Sequence, residues 1–175
     1  MATRPSWPAL VVLAAGSVLR IALGVATPAD VAYDDHWTPV ELAIRHDRLP
    51  RAGDCWQCYQ PPLFYVTARL AYNLGAGTAS LTGAADEAAV AVGRKAMQFV
   101  SVIAGCLTLY VCLLILRRVR PSSPLVEAVA LGLPAFLPQH LYMSAMVTND
   151  ALTYLVASPP SLPGFGPARA AGPPS

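Results

Sequence analysis

The sequence predicts an all-α fold, a polytopic bundle of transmembrane helices. Three observations point there. The chain of 175 residues is 55% hydrophobic and only 13% charged, about half the charged share of an ordinary soluble domain. Its mean hydropathy is +0.47. Its apolar residues gather into runs long enough to cross a bilayer, which takes about 20 residues of helix. The length allows about one domain. A net charge of +2, with no basic, aromatic-interleaved patch and no phosphate-binding glycine loop, argues against a nucleic-acid partner.

The first run, Trp7 to Ala26, is interrupted mainly by Arg20. It predicts a first span near 7–27. The rival reading is a secretory signal peptide with Arg4 in its n-region and a cleavage zone near Val25 to Ala29. The apolar stretch continues past Arg20, which favours a retained helix. A cation that deep faces a bundle interior or snorkels to the rim.

Residues 29–94 form a polar loop. Within it, Thr38 to His46 suits a short surface helix with Val40, Ala43 and Ile44 on one face. Pro61 and Pro62 suit the first turn of another helix. That helix, Leu63 to Leu74, reads as interfacial or re-entrant, with Phe64, Tyr65 and Tyr72 near headgroup level. Gly75 to Gly83 reads as a linker.

A second span is expected over 96–116, preceded by Arg94 and Lys95. It ends in Arg117, Arg118 and Arg120 before Pro121. The positive-inside rule places this short basic connection in the cytoplasm. The N-terminus is then also cytoplasmic, in an inner (cytoplasmic) membrane, and the 29–94 loop lies outside. A third span over 125–143, bent by Pro134 and Pro138, returns to the outer side near Asn149 and Asp150. A fourth begins at 151 and stops far short of a full span. Residues 158–175 are rich in Pro, Gly and Ala and are expected to be disordered. The abrupt change suggests a fragment: a partial transmembrane domain over 1–157.

The chemistry-bearing residues collect in the outer loop. Asp34 and Asp35, flanked by Tyr33, His36 and Trp37, read as a solvated turn, a metal site or a general base acting on an acceptor hydroxyl. Cys55 and Cys58 lie on the oxidising side. They rank as a structural disulfide first, half a metal site with His36 or His46 second, and a redox pair third, because no thioredoxin-like pattern surrounds them. Cys106 and Cys112 lie inside an apolar run and read as small hydrophobes. Gln139 and His140 are polar at membrane depth and point to a cavity. Asn149 and Asp150 read equally as a helix cap and as site residues.

These residues resemble the N-terminal part of a GT-C-fold membrane glycosyltransferase, of the family 39 protein O-mannosyltransferase and lipid A aminoarabinose transferase type. Asp34-Asp35 after the first span resembles the family's Asp-Glu. Gln60-Pro61-Pro62-Leu63-Phe64-Tyr65 resembles its x-Pro-Pro-Leu-x-Tyr. Pro138 and the stretch Met143 to Asp150 resemble its return to the outer face. The likeness covers roughly residues 7–157. It implies transfer of a sugar from a polyprenyl-phosphate donor to a lipid, glycan or protein acceptor. Asp34 would be the catalytic carboxylate with Asp35 beside it. Arg94, Lys95 and Gln60 would serve the donor phosphate. His36, Tyr59, Tyr65, His140, Asn149 and Asp150 would line the acceptor cavity. No cofactor is certain, and a divalent metal stays open. Departures are visible: Asp35 replaces Glu, Gln60 stands where the aminoarabinose enzymes have Lys, and the Cys55-x-x-Cys58 pair is not general to the family. Two other classes remain alternatives: a small structural membrane subunit binding partners through its outer loop, and a periplasmic thiol-disulfide protein.

Overall fold

The computed structural model describes residues 5–32, 34, 36–119 and 123–158. Among them no strand forms, and the elements are helices: α1 (Trp7–Ala26), α2 (Trp37–His46), α3 (Leu63–Leu81), α4 (Asp86–Val119), α5 (Pro124–Phe136), α6 (Pro138–Ala145) and α7 (Asp150–Ala157). Among the described residues two helices are long and apolar enough to cross a membrane, Trp7–Ala26 and Asp86–Arg118, whose most apolar 18-residue windows have mean hydropathies of 2.2 and 2.6. The tail expected to be disordered lies, past Ser158, outside the described residues.

α1 opens on a capping residue. The Ser6 hydroxyl accepts from the Ala9 amide at 3.4 Å, and Pro8 occupies the first turn, where its missing N–H costs nothing. The Ser6 amide donates to Glu127 Oε2 at 3.1 Å, so α1 and α5 start at the same end. Ala9, Leu113 and Leu131 form one buried cluster there, which places the last turns of α4 at that end too. At the opposite end, Lys95 reaches Gly24 and Thr27, and Gln98 reaches Ala145. α1 therefore runs antiparallel to α4 and alongside α5–α6. The end carrying Thr27, Lys95 and Ala145 also carries the polar loop.

Three boundaries differ from the sequence reading. The expected linker at 75–83 is helical down to Leu81. Gly75 allows close packing rather than a turn: a Cβ there would lie 2.7 Å from the Ala96 Cβ, and across the same contact one on Gly93 of α4 would lie 2.9 Å from the Tyr72 ring. The true turn is shorter and centres on Gly83, at φ +83°. α4 begins at Asp86, not near 96. Its 34 residues span roughly 51 Å at 1.5 Å each, well beyond a hydrocarbon core of about 30 Å. Asp86 and Glu87 suit its first turn, where the helix dipole favours anions.

The expected run at 125–143 is two helices. α5 accommodates Pro134 internally. The break falls at Leu137, which is extended (φ −60°, ψ 120°), because a residue before proline is pushed out of the α region.

At the loop end, Val40, Phe64, Tyr65, Ala68, Met97 and Val147 form a second buried cluster with Trp37, Ile44, Tyr72, Val100 and Leu152 against it. Val40 and Ala43 are the buried face of α2. This core joins α2, α3, the first part of α4 and the segment after α6, and it positions the polar residues above it.

Candidate functional site

Asp34 sits where the chain after α1 meets the chain after α6. The Val147 amide donates to the Ala32 carbonyl at 2.5 Å, and the Asp34 amide donates to the Val147 carbonyl at 3.5 Å. This single bridge holds the Asp34 backbone. Its half-buried side chain makes no hydrogen bond or ion pair among the described residues. Tyr33 and Asp35 lie outside the described residues.

The 147–149 segment is itself held from α4. Gln98 Nε2 donates to the Ala145 carbonyl at 2.8 Å, and Ser101 Oγ donates to the Thr148 carbonyl at 3.2 Å. Both polar side chains are fully buried, so each needs these partners.

A hydrogen-bonded strip runs beside Asp34. The Tyr65 hydroxyl donates to the Gln57 carbonyl at 3.0 Å. Its single proton is thereby used, so the His36 Nδ1, 3.3 Å away, is the donor in that contact. His36 is buried and stands edge-on to Phe64, centroids 6.0 Å apart. Burial pushes the Tyr65 phenol up to about 12, so it stays a neutral hydrogen-bonding group. Gln60 Nε2 donates to Gln57 Oε1 at 2.6 Å, and the Asn149 amide donates to Gln60 Oε1. Asn149 occupies the cap position of α7 without a side-chain cap bond. Its amide instead ties α7 to the loop before α3. Asp150 is the first residue of α7, and its amide donates to Thr148 Oγ1 at 3.3 Å.

Beside this strip lies a cleft of about 260 Å³ lined by Pro61, Leu63, Phe64, Leu152, Thr153 and Val156, with Asn149 at its wall. Its lining is almost wholly apolar.

Cys55 and Cys58 are disulfide-bonded. They stand in successive tight turns, in which the Cys58 amide donates to the Cys55 carbonyl and the Gln60 amide to the Gln57 carbonyl, each at 3.2 Å. Upstream, Asp54 accepts from Arg48 at 2.6 Å and from the Arg51 amide at 2.8 Å. The Arg48 hydrogen bond, then the Arg51 amide, hold the Asp54 carboxyl down to about 2. Trp56 and Tyr59 project from this braced loop, 83% and 65% exposed.

The two cations at the start of the second span have different surroundings. Lys95 spends its three protons on the Gly24 carbonyl (3.0 Å), the Thr27 carbonyl (2.8 Å) and Gln98 Oε1 (2.8 Å). It caps the C-terminus of α1, where the dipole favours a cation. Arg94 stacks over the Trp37 ring at 5.2 Å, and its Nε has no hydrogen-bond partner among the described residues. A small pocket beside it includes Glu41, Arg45 and Tyr72.

His140 lies elsewhere. Its Nδ1 meets an Arg20 guanidinium nitrogen at 2.9 Å, and its ring stacks on Tyr154, centroids 5.0 Å apart. The structure thus brings Asp34, His36, Gln60, Tyr65 and Asn149 to one end, with Asp150 beside them. It leaves Tyr59 at the surface and puts His140 within the helices. Gln57, Gln98 and Ser101 were not singled out by the sequence, and no local pattern marks them. Cys106 and Cys112 are free and partly buried. Among the described residues no three His, Cys, Asp or Glu side chains converge as metal ligands.

No family model, curated protein or solved structure matches the chain.

Proposed function

We propose that the chain is the N-terminal part of a GT-C-like membrane glycosyltransferase, acting at the outer face of the cytoplasmic membrane. The observation that carries this reading is Asp34. Its backbone is held by Val147, its carboxylate is uncommitted among the described residues, and it stands just past the apolar run of α1. A general base needs that combination of fixed position and free oxygen.

In this reading α1, α4 and the α5–α6 pair cross the bilayer, and α7 begins a fourth span. Residues Arg117 to Arg120 and the N-terminus face the cytoplasm. Arg20, buried against α5 and α6, supports a retained first helix over a cleaved leader.

The reaction is a single inverting displacement. An acceptor hydroxyl, on a lipid, glycan or protein, attacks the anomeric carbon and yields its proton to the Asp34 carboxylate. The bond from that carbon to the phosphate oxygen breaks, and its electron pair leaves with the polyprenyl phosphate. Arg94 supplies the counter-charge to that phosphate, since Lys95 is held by α1 and Gln60 by Asn149 and Gln57. The apolar cleft at Leu63, Phe64 and Leu152 suits part of an extended hydrocarbon chain.

The test is turnover of a polyprenyl-phosphate sugar by a longer version carrying the remaining spans. Asp34→Asn should keep donor binding and lower turnover about 10²–10⁴-fold, the usual worth of a general base. Near wild-type turnover in that variant would end the assignment.

A second reading, a structural subunit binding partners through the loop, is favoured by one observation: the exposed Trp56 and Tyr59 on a disulfide-braced turn. Exposed aromatics on a rigid support are typical of contact hot spots.

A further inference from the structure

Arg20 is fully buried, yet among the described residues no carboxylate bonds to it. Its guanidinium donates from Nη1 to the Gly16 carbonyl (3.0 Å) and the Ala135 carbonyl (2.8 Å), and from Nη2 to the Pro134 carbonyl (2.9 Å) and to His140 Nδ1 (2.9 Å). Three of these four acceptors belong to the α5–α6 break. In an unbroken helix the amide of residue 138 would satisfy the Pro134 carbonyl, and the amide of 139 the Ala135 carbonyl. Residue 138 is proline and has no amide hydrogen, and the extended Leu137 ends the ladder. Arg20 replaces the missing donors from a different helix, with a positive charge at the negative end of α5.

This contact lies on a continuous path to Asp34. α6 starts at the break and ends at Ala145. Two residues later the Val147 carbonyl takes the Asp34 amide. Along α6, Ser144 Oγ donates to the His140 carbonyl at 2.7 Å. Gly105 of α4 seats both partners: a Cβ there would overlap Ser144 and lie 3.2 Å from Arg20 Nε. Gln98 and Ser101 hold the end of this path from α4, and Arg20 holds its beginning from α1.

We propose that Arg20 is a positioning residue for Asp34: by capping the broken α5–α6 helix it sets where α6 ends, and so where Val147 holds the Asp34 backbone. The link to catalysis rests on the glycosyltransferase reading; the mechanical link does not. Arg20 touches no reacting atom in this scheme.

Two probes read the mechanical link without turnover. Hydrogen exchange reports the Val147 and Asp34 amides. Nitrogen-15 histidine spectra report His140, whose Nδ1 must accept from a guanidinium and whose proton therefore sits on Nε2. Arg20→Lys keeps the charge, but one ammonium cannot reach four acceptors with three protons. It should leave the protein folded and speed Val147 exchange about tenfold, the factor that about 1.4 kcal/mol produces. Arg20→Met should speed it further and release the His140 tautomer. If Arg20→Met fails to fold, Arg20→Met/Pro138→Ala restores an amide for the Pro134 carbonyl. That double variant should regain folding while Val147 exchange stays fast. Val147 exchange unchanged in folded Arg20→Lys protein would overturn the proposal. Restoration of wild-type exchange by Pro138→Ala would also overturn it, since Arg20 would then only replace a donor. Turnover separates the two readings: faster exchange with unchanged kcat leaves the positioning in place and removes Asp34 as the base.

Discussion

The same substitution, glycine to alanine inside a helix, should have opposite effects at Gly105 and Gly132. At Gly132 in α5 an added Cβ meets nothing within 4 Å. Gly132→Ala therefore keeps only the propensity gain, about 0.5–1 kcal/mol. At Gly105 the added Cβ would lie 2.8 Å from Ser144 Cβ and 3.2 Å from Arg20 Nε. Carbon atoms rest about 3.5–4.0 Å apart, and a Cβ cannot rotate away as a hydroxyl can. α6 must shift by most of an ångström, against the bonds from Gln98 to Ala145 and from Arg20 to Pro134 and Ala135. Overpacking of this kind costs about 1–3 kcal/mol, and this site belongs at the upper end because a buried cation moves with the backbone. After the propensity gain, Gly105→Ala should lose about 2 kcal/mol net. At about 2–4 °C per kcal/mol for chains of this size, Tm falls by about 4–8 °C, whereas Gly132→Ala raises it by about 1–4 °C. Thermal unfolding in a mild detergent, followed by circular dichroism, reads both. Equal stabilisation by the two alanines would refute the close α4–α6 contact at Gly105, and with it the path from Arg20 to Val147.

Three further outcomes follow from the loop end. Lys95→Met should destabilise by about 1–3 kcal/mol, because it strips buried acceptors at the end of α1; the same unfolding assay measures it, and no loss would mean that Lys95 is free for another partner. Tyr65→Phe removes the hydroxyl that donates to the Gln57 carbonyl and meets His36 Nδ1, at a similar cost of about 1–3 kcal/mol, and unaltered stability would mean that water replaces the hydroxyl. The Asp54 clip is pH-dependent with a definite sign: its folded value, about 2, is below the ordinary 3.8. Its contribution is present above about pH 4 and is lost as pH falls toward 2, which faster exchange of the Arg51–Asp54 amides should report.

The helices themselves were legible in the chain because their signals are local. The apolar face of α2, the proline pair before α3 and the hydropathy of α1 and α4 are each readable within a short stretch. Arg20 stood out as a charge inside an apolar run, and Asp34 as an acid just past a helix. What escaped was decided by contacts distant in sequence. Gly75 looked like part of a linker, but in the folded chain it is where α3 and α4 touch. Lys95 looked like a free counter-charge until the Gly24 and Thr27 carbonyls at the end of α1, about seventy residues earlier, took two of its protons and Gln98 the third. Gln98 and Ser101 carry no motif, and they hold the 145–148 segment only because α4 passes beside it. Sequence alone determined that the chain is helical and which residues are charged or apolar, since those follow from local propensity and solvation. Tertiary structure alone decided which polar groups remain uncommitted, because a donor is spent or free only once distant acceptors have come within about 3 Å.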